Sequence, residues 1–162
     1  MAKRLMDDIA GQASLDEKQL RLLLVDEEVN DLDYYAEILR YLGYEVRKVG
    51  SYAQAADLIG HERFDLVIVD QGSASFEGRS VLSRAVEADR HVPVLVLTRA
   101  VDADCCIEAL DLGAYEYVQK PLTTAEVREL VSDYLKPRLA TASAGRDYPS
   151  RRAVPDSLLP AS

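Results

Sequence analysis

Cysteine is nearly missing from this chain: there are two in 162 residues, and they are the neighbours Cys105 and Cys106. Adjacent thiols build no disulfide framework and lack the spacing of metal ligands, so both read as plain helix residues. Long apolar runs are missing as well. No stretch reaches the roughly 18 consecutive apolar residues that a membrane span needs. The opening "MAKRLMDDIAGQ" carries charge where a signal peptide needs an apolar centre. Positive charge is also scarce, with 19 Lys and Arg against 28 Asp and Glu and a net charge of -9. That balance repels phosphate backbones and anionic lipid surfaces. These shortages set aside direct nucleic-acid binding, a membrane role and a disulfide scaffold, and leave the expectation of a soluble, cytoplasmic protein.

What is present is a core. With 48% apolar residues, the chain suits one ordinary domain with some length to spare. Three short apolar runs, Leu20 to Val25, Leu66 to Val69 and Val94 to Leu97, read as strands buried on both faces of a parallel sheet. Two weaker candidates, "YEVRKV" (44–49) and "YEYV" (115–118), alternate more and fit the sheet edges. Helical patterns fall between them. Leu32, Tyr35, Leu39 and Leu42 share one face of a helix that Asn30 or Asp31 can cap and Gly43 can end. Ser51 and Gln54 have capping-box spacing, and that helix closes at Gly60. A third helix covers Arg79 to Ala88. A fourth starts at Asp102 or Asp104 and ends at Gly113, and Thr123 with Glu126 boxes the start of the last. Strand and helix alternating five times predict a right-handed, doubly wound α/β fold. No internal repeat is visible. Residues 1–18 form an N-terminal extension, 19–136 the domain, and 137–162, rich in Pro, Ser, Ala and Gly, a disordered tail.

In such a sheet ligands bind beyond the carboxyl ends of the strands, where the strand order reverses. Strand one ends in Asp26, Glu27 and Glu28, strand three in Asp70, strand four in Thr98, and strand five leads to Lys120 and Pro121. Taken singly, the acids read as helix caps, Thr98 as a turn hydroxyl and Lys120 as a solvated surface lysine. Their joint placement on one edge is what points to a site. In the strand order 2-1-3-4-5, Asp26, Glu27 and Asp70 are expected to converge. Three carboxylates in one small space repel one another, and a hard divalent cation such as Mg²⁺, completed by waters and a backbone carbonyl, relieves the conflict.

The set "LLLVDEE", "FDLVIVD", Gly78 eight residues after Asp70, "VLVLT" and "GAYEYVQKPL" resembles a response-regulator receiver domain of two-component signalling over roughly Gln19 to Leu135. The resemblance implies a flavodoxin-like (βα)5 fold and a phosphoacceptor, not a dedicated enzyme. Asp70 would take a phosphoryl group from a histidine kinase or phosphotransfer protein. Asp26, Glu27, Asp70 and the Gly72 carbonyl match the Mg²⁺ ligands, Lys120 the active-site lysine, Thr98 the switch hydroxyl and Tyr117 the switch aromatic. It further implies a cis Lys120–Pro121 bond, an output face of helix four, strand five and helix five, and partners among downstream proteins or a second copy of the chain.

Three positions depart from that pattern. Glu27 stands where an aspartate is usual, Ala74 replaces a proline four residues after the acceptor, and Arg99 follows Thr98 where a small residue is usual. The Arg99 guanidinium is expected to gate the pocket or bind its phosphate. The departures support an alternative, a pseudo-receiver that works as an interaction module without phosphorylation. Two enzymes of the same fold fit less well. A phosphatase with an aspartate nucleophile wants an acid where Gly72 stands, and a flavin site wants a phosphate-cradling loop where "DEEVND" is acidic.

Overall fold

The structure is a computed structural model that describes residues 18–140. The expected N-terminal extension and most of the expected tail lie outside the described residues. Five strands, β1 (Arg21–Val25), β2 (Glu45–Val49), β3 (Leu66–Asp70), β4 (Val94–Thr98) and β5 (Glu116–Gln119), alternate with five helices. These are α1 (Val29–Tyr41), α2 (Tyr52–Ile59), α3 (Arg79–Ala88), α4 (Ala103–Leu112) and α5 (Thr124–Ala140). All strand pairings are parallel, and the order is β2-β1-β3-β4-β5. The two alternating strands are the two edges, as their sequence pattern predicts.

The continuous apolar runs have a direct physical reason. Side chains of a strand alternate between faces, and here each face has its own core. Leu23, Val25, Val67, Val69, Val94 and Val96 pack against Ala55 and Ile59 of α2, Val81, Leu82 and Ala85 of α3, and Cys105, Cys106 and Ala109 of α4. Leu22, Leu24, Leu66, Ile68, Leu95 and Leu97 pack on the other side, against Leu32, Tyr35 and Leu39 of α1 and Val127, Leu130 and Val131 of α5. Each such side chain contributes roughly 1.5–3 kcal/mol on burial, so a polar residue inside β1, β3 or β4 is costly. The polar residues are therefore pushed to the strand ends.

Helix ends follow local chemistry. Ser51 Oγ accepts from the Gln54 amide, and Thr123 and Glu126 exchange hydrogen bonds reciprocally. Asp102 caps α4 by accepting from the Cys105 amide, and Gly113 closes that helix at φ 110°, a backbone region that costs glycine little. Two boundaries differ from expectation. Helix α5 runs through Pro137 to Ala140. A proline removes one intrahelical hydrogen bond, but its fixed φ is itself helical. Helix α1 begins at Val29 after Glu28, which makes no side-chain cap, so neither Asn30 nor Asp31 is the cap, and Asp31 is free for another task.

Candidate functional site

The register of the sheet builds the site. Val25 lies opposite Val69 across β1 and β3, so Asp26 and Asp70, each one residue further on, leave the sheet side by side. Gln71 N donates to Leu97 O on β4, and Lys120 N donates to Thr98 O at 2.7 Å, which brings the ends of β4 and β5 to the same rim. Two tyrosines of α1 fix the loop carrying Lys120. The Leu122 amide donates to the Tyr35 hydroxyl, and the Tyr34 hydroxyl donates to Leu122 O. The Lys120–Pro121 bond is cis, as the resemblance implies.

Lys120 is the hub. Its Nζ donates to Asp26 Oδ2 at 2.8 Å and Asp31 Oδ2 at 2.9 Å, and lies 2.7 Å from Asp70 Oδ1. The ammonium is buried, 5% exposed. Burial alone lowers a lysine's pKa, but the bonds to Asp26, Asp70 and Asp31 outweigh it, and Lys120 is held charged, above its ordinary range. The carboxylates divide. Burial, with the Asp70 charge adding to it, pushes the Asp26 carboxyl up against the bonds from Lys120 and the Glu28 amide. Burial also works on Asp31, but there Lys120 and Arg99 prevail and hold it below its usual value. Asp70 Oδ2 accepts from the Gly72 amide at 2.9 Å and faces the Tyr52 hydroxyl at 3.4 Å.

The expected trio of Asp26, Glu27 and Asp70 is not assembled. Among the described residues no three His, Cys, Asp or Glu side chains are gathered at metal-binding distance. Asp26 and Asp70 turn onto the Lys120 ammonium, which supplies their counter-charge, and the longer Glu27 side chain is exposed. The donor set still fits a hard cation. Asp26, Asp31, Asp70 and the adjacent Glu27 carry more negative charge than Lys120 and Arg99 neutralise, and all the donors are oxygen.

Thr98 is buried and donates its hydroxyl to Ala100 O at 2.8 Å. Tyr117 is buried as well. Its hydroxyl donates a short bond to Gln71 Oε1 and accepts from the Asp102 amide at 3.2 Å. Gln71, 2% exposed, also donates from Nε2 to Ser73 O. The loop after the acceptor is tied to itself, with Glu77 accepting from the Ser73 amide and hydroxyl. Arg99 is paired with Asp31 through a short Nη2 contact to Oδ1, and its side chain remains 64% exposed. From sequence Asp31 reads only as a cap candidate, and Gln71 only as a polar residue that ends the third apolar run. The available signal for Asp31 was its spacing: an acid in the first turn of the helix after β1 stands over the same rim as Asp26.

A family model described as the response regulator receiver domain matches residues 22–132. The sporulation initiation phosphotransferase F of Bacillus subtilis strain 168 is 29% identical over 115 residues, covering 71% of this chain and 93% of that protein. The transcriptional regulatory protein ZraR of Klebsiella oxytoca is 30% identical over 118 residues, covering 73% of this chain but only 27% of ZraR. Among solved structures, a response regulator receiver domain protein from Methanospirillum hungatei JF-1 superposes with a TM-score of 0.71 at 24% identity, covering 76% of this chain and 98% of that one. A response regulator described as putative, from Chloroflexus aurantiacus J-10-fl, gives 0.66 at 28% identity, covering 74% and 99%.

Proposed function

The chain belongs to the response regulator receiver family, and on that premise we propose that Asp70 accepts a phosphoryl group from the phosphohistidine of a histidine kinase or phosphotransfer protein. The observation that carries this reading is the buried ammonium of Lys120 bonded at once to Asp26 and Asp70. Phosphoryl transfer passes through a loose transition state with charge spread over three oxygens, so position and positive charge supply most of the catalysis. An Asp70 carboxylate oxygen forms the new bond to phosphorus as the P–N bond breaks, and the departing imidazole keeps the electron pair. Lys120 is already held beside that oxygen and faces the charge as it develops. Asp26, Glu27, Asp70 and the Gly72 carbonyl are the groups that would hold Mg²⁺, which when bound neutralises phosphoryl oxygens.

The readout we propose is the face of α4, β5 and α5. Thr98 ends β4 beside β5, which carries Tyr117, and Ile107 on α4 is 59% exposed. Action as a single-domain regulator is supported by the near-complete coverage of the Bacillus subtilis relative. No helix among the described residues is long and apolar enough to cross a membrane, in keeping with a cytoplasmic site of action.

Incubating the protein with a small phosphoramidate donor and Mg²⁺ is expected to add one phosphoryl mass, and Asp70→Asn to abolish it. The exposed Glu27 favours the rival reading of a phosphorylation-independent module. Absence of the adduct, together with a Mg²⁺ titration that finds no site, would establish that rival instead.

A further inference from the structure

Asp31 is a fourth carboxylate of the rim, and its two oxygens serve two different cations. Oδ2 accepts from the buried Lys120, while Oδ1 accepts from the exposed Arg99. The two ends of the Asp31–Arg99 pair are unequal. Asp31 is fixed in the first turn of α1 with its side chain 12% exposed, whereas the Arg99 side chain is 64% exposed. An ion pair with one solvated, multi-rotamer partner is weakly held, and the arginine is the partner able to leave.

We propose that Asp31 is a dock for Arg99, from which the guanidinium transfers to the phosphoryl group on Asp70 and prolongs its lifetime. The inference rests on phosphoryl acceptance at Asp70. Arg99 meets Asp31, Asp31 meets Lys120 and Lys120 meets Asp70, so the guanidinium is linked to the acceptor through one carboxylate and one ammonium on the same rim. A phosphoryl group carries about two negative charges and three strong acceptors, against one charge on Asp31, and a guanidinium matches phosphate oxygens with a bidentate fork. The transfer is therefore downhill once the acyl phosphate exists. Hydrolysis requires water to add to phosphorus as the P–Oδ bond breaks, returning the electron pair to the Asp70 carboxylate and releasing inorganic phosphate. A guanidinium bonded to the phosphoryl oxygens crowds that line of approach. Asp31 competes for the arginine, so it is a positioning residue that shortens the phosphorylated state.

The test is the decay of the phosphorylated mass of the full chain after a phosphoramidate donor is removed, at fixed Mg²⁺ concentration. Arg99→Ala is expected to decay faster and Asp31→Asn slower than the wild type, each by roughly three- to tenfold, the range set by one exposed charge-assisted hydrogen bond. The double variant is expected to decay like Arg99→Ala, because the effect of Asp31 passes through the arginine. A purely structural role for Asp31 does not predict that dependence. An Asp31→Asn decay equal to the wild type, or unchanged in size when Arg99 is absent, overturns the proposal. If Asp31→Asn fails to fold, Arg99→Lys and Arg99→Ala decide, and wild-type decay in both overturns it. Wild-type protein that takes up no phosphoryl group removes the acceptor reading and this inference together, whereas an adduct whose decay ignores Arg99 removes this inference alone.

Discussion

Gly78→Ala tests the closest approach of a glycine to neighbouring main chain among the described residues. Gly78 precedes α3 at φ -63° and ψ -13°, where any residue is comfortable, so its dihedrals do not require glycine. Space does. A Cβ built there lies 2.3 Å from the carbonyl oxygen of Asp70 and 3.3 Å from Val69 Cγ2. Real Cβ contacts essentially never fall under 3.0 Å, so the backbone must part by at least about 0.7 Å, and the obstacle is main chain, not a side chain that can rotate away. The amide of Gly78 also donates to Gln71 O, so the same displacement strains that bond. Overpacking of this kind costs about 1–3 kcal/mol, a fall of roughly 4–15 °C in melting temperature for a domain of this size. Because the displaced residue is the acceptor itself, phosphorylation is expected to slow by ten- to about a hundredfold, the scale set by a misplacement of about 1 Å. Thermal melts by circular dichroism and adduct formation by intact-mass spectrometry read the two effects. Gly50→Ala is the matched control, since its Cβ meets nothing nearer than 3.9 Å. A Gly78→Ala protein that melts with the wild type and phosphorylates at the same rate refutes the close approach.

Two further outcomes are expected. Lys120→Met leaves the site's carboxylates without their buried ammonium and is expected to cost about 3–5 kcal/mol at pH 7 by urea denaturation. In that variant Asp26, which burial already raises against the opposing Lys120 bond, loses that bond and rises further. Its contribution is then fully present below the unfolded pKa and lost as pH rises through the folded one, so the deficit against wild type shrinks as pH falls from 7 toward the unfolded carboxylate range; a deficit that is constant or grows argues against the assignment. Tyr117→Phe strands the Gln71 carbonyl and the Asp102 amide and is expected to cost about 1–3 kcal/mol. Adding Gln71→Leu is expected to cost less than the sum of the two single changes, by about 0.5–3 kcal/mol in a urea double-mutant cycle, and strict additivity would mean the two side chains do not interact.

Much of this was legible in the sequence because burial on two faces leaves a strong mark. The runs at Leu66–Val69 and Val94–Leu97 fall within β3 and β4, and the alternating stretches fall at the two edges. Capping signals at Ser51, Asp102 and Thr123 located helix starts because the hydrogen bonds that make them are local in sequence. The rim of the site was legible for the same reason: strand ends are readable, and whatever follows them shares one edge. What escaped was long-range pairing. Asp31 meets Lys120 from 89 residues away and Arg99 from 68, and a helix-start aspartate has the same local appearance whether it caps or pairs. Gln71 reads as a strand terminator, although its partner Tyr117 lies 46 residues on. Glu27 follows Asp26 at the rim but its side chain is exposed, because successive residues leaving a strand diverge.

The tyrosine pair of α1 couples the helix surface mechanically to the site. Tyr34 presents a ring 45% exposed while its hydroxyl grips the carbonyl of Leu122, and Tyr35 beside it grips that same residue's amide. Anything that leans on the outer ring therefore pulls on a tether anchored two positions beyond Lys120.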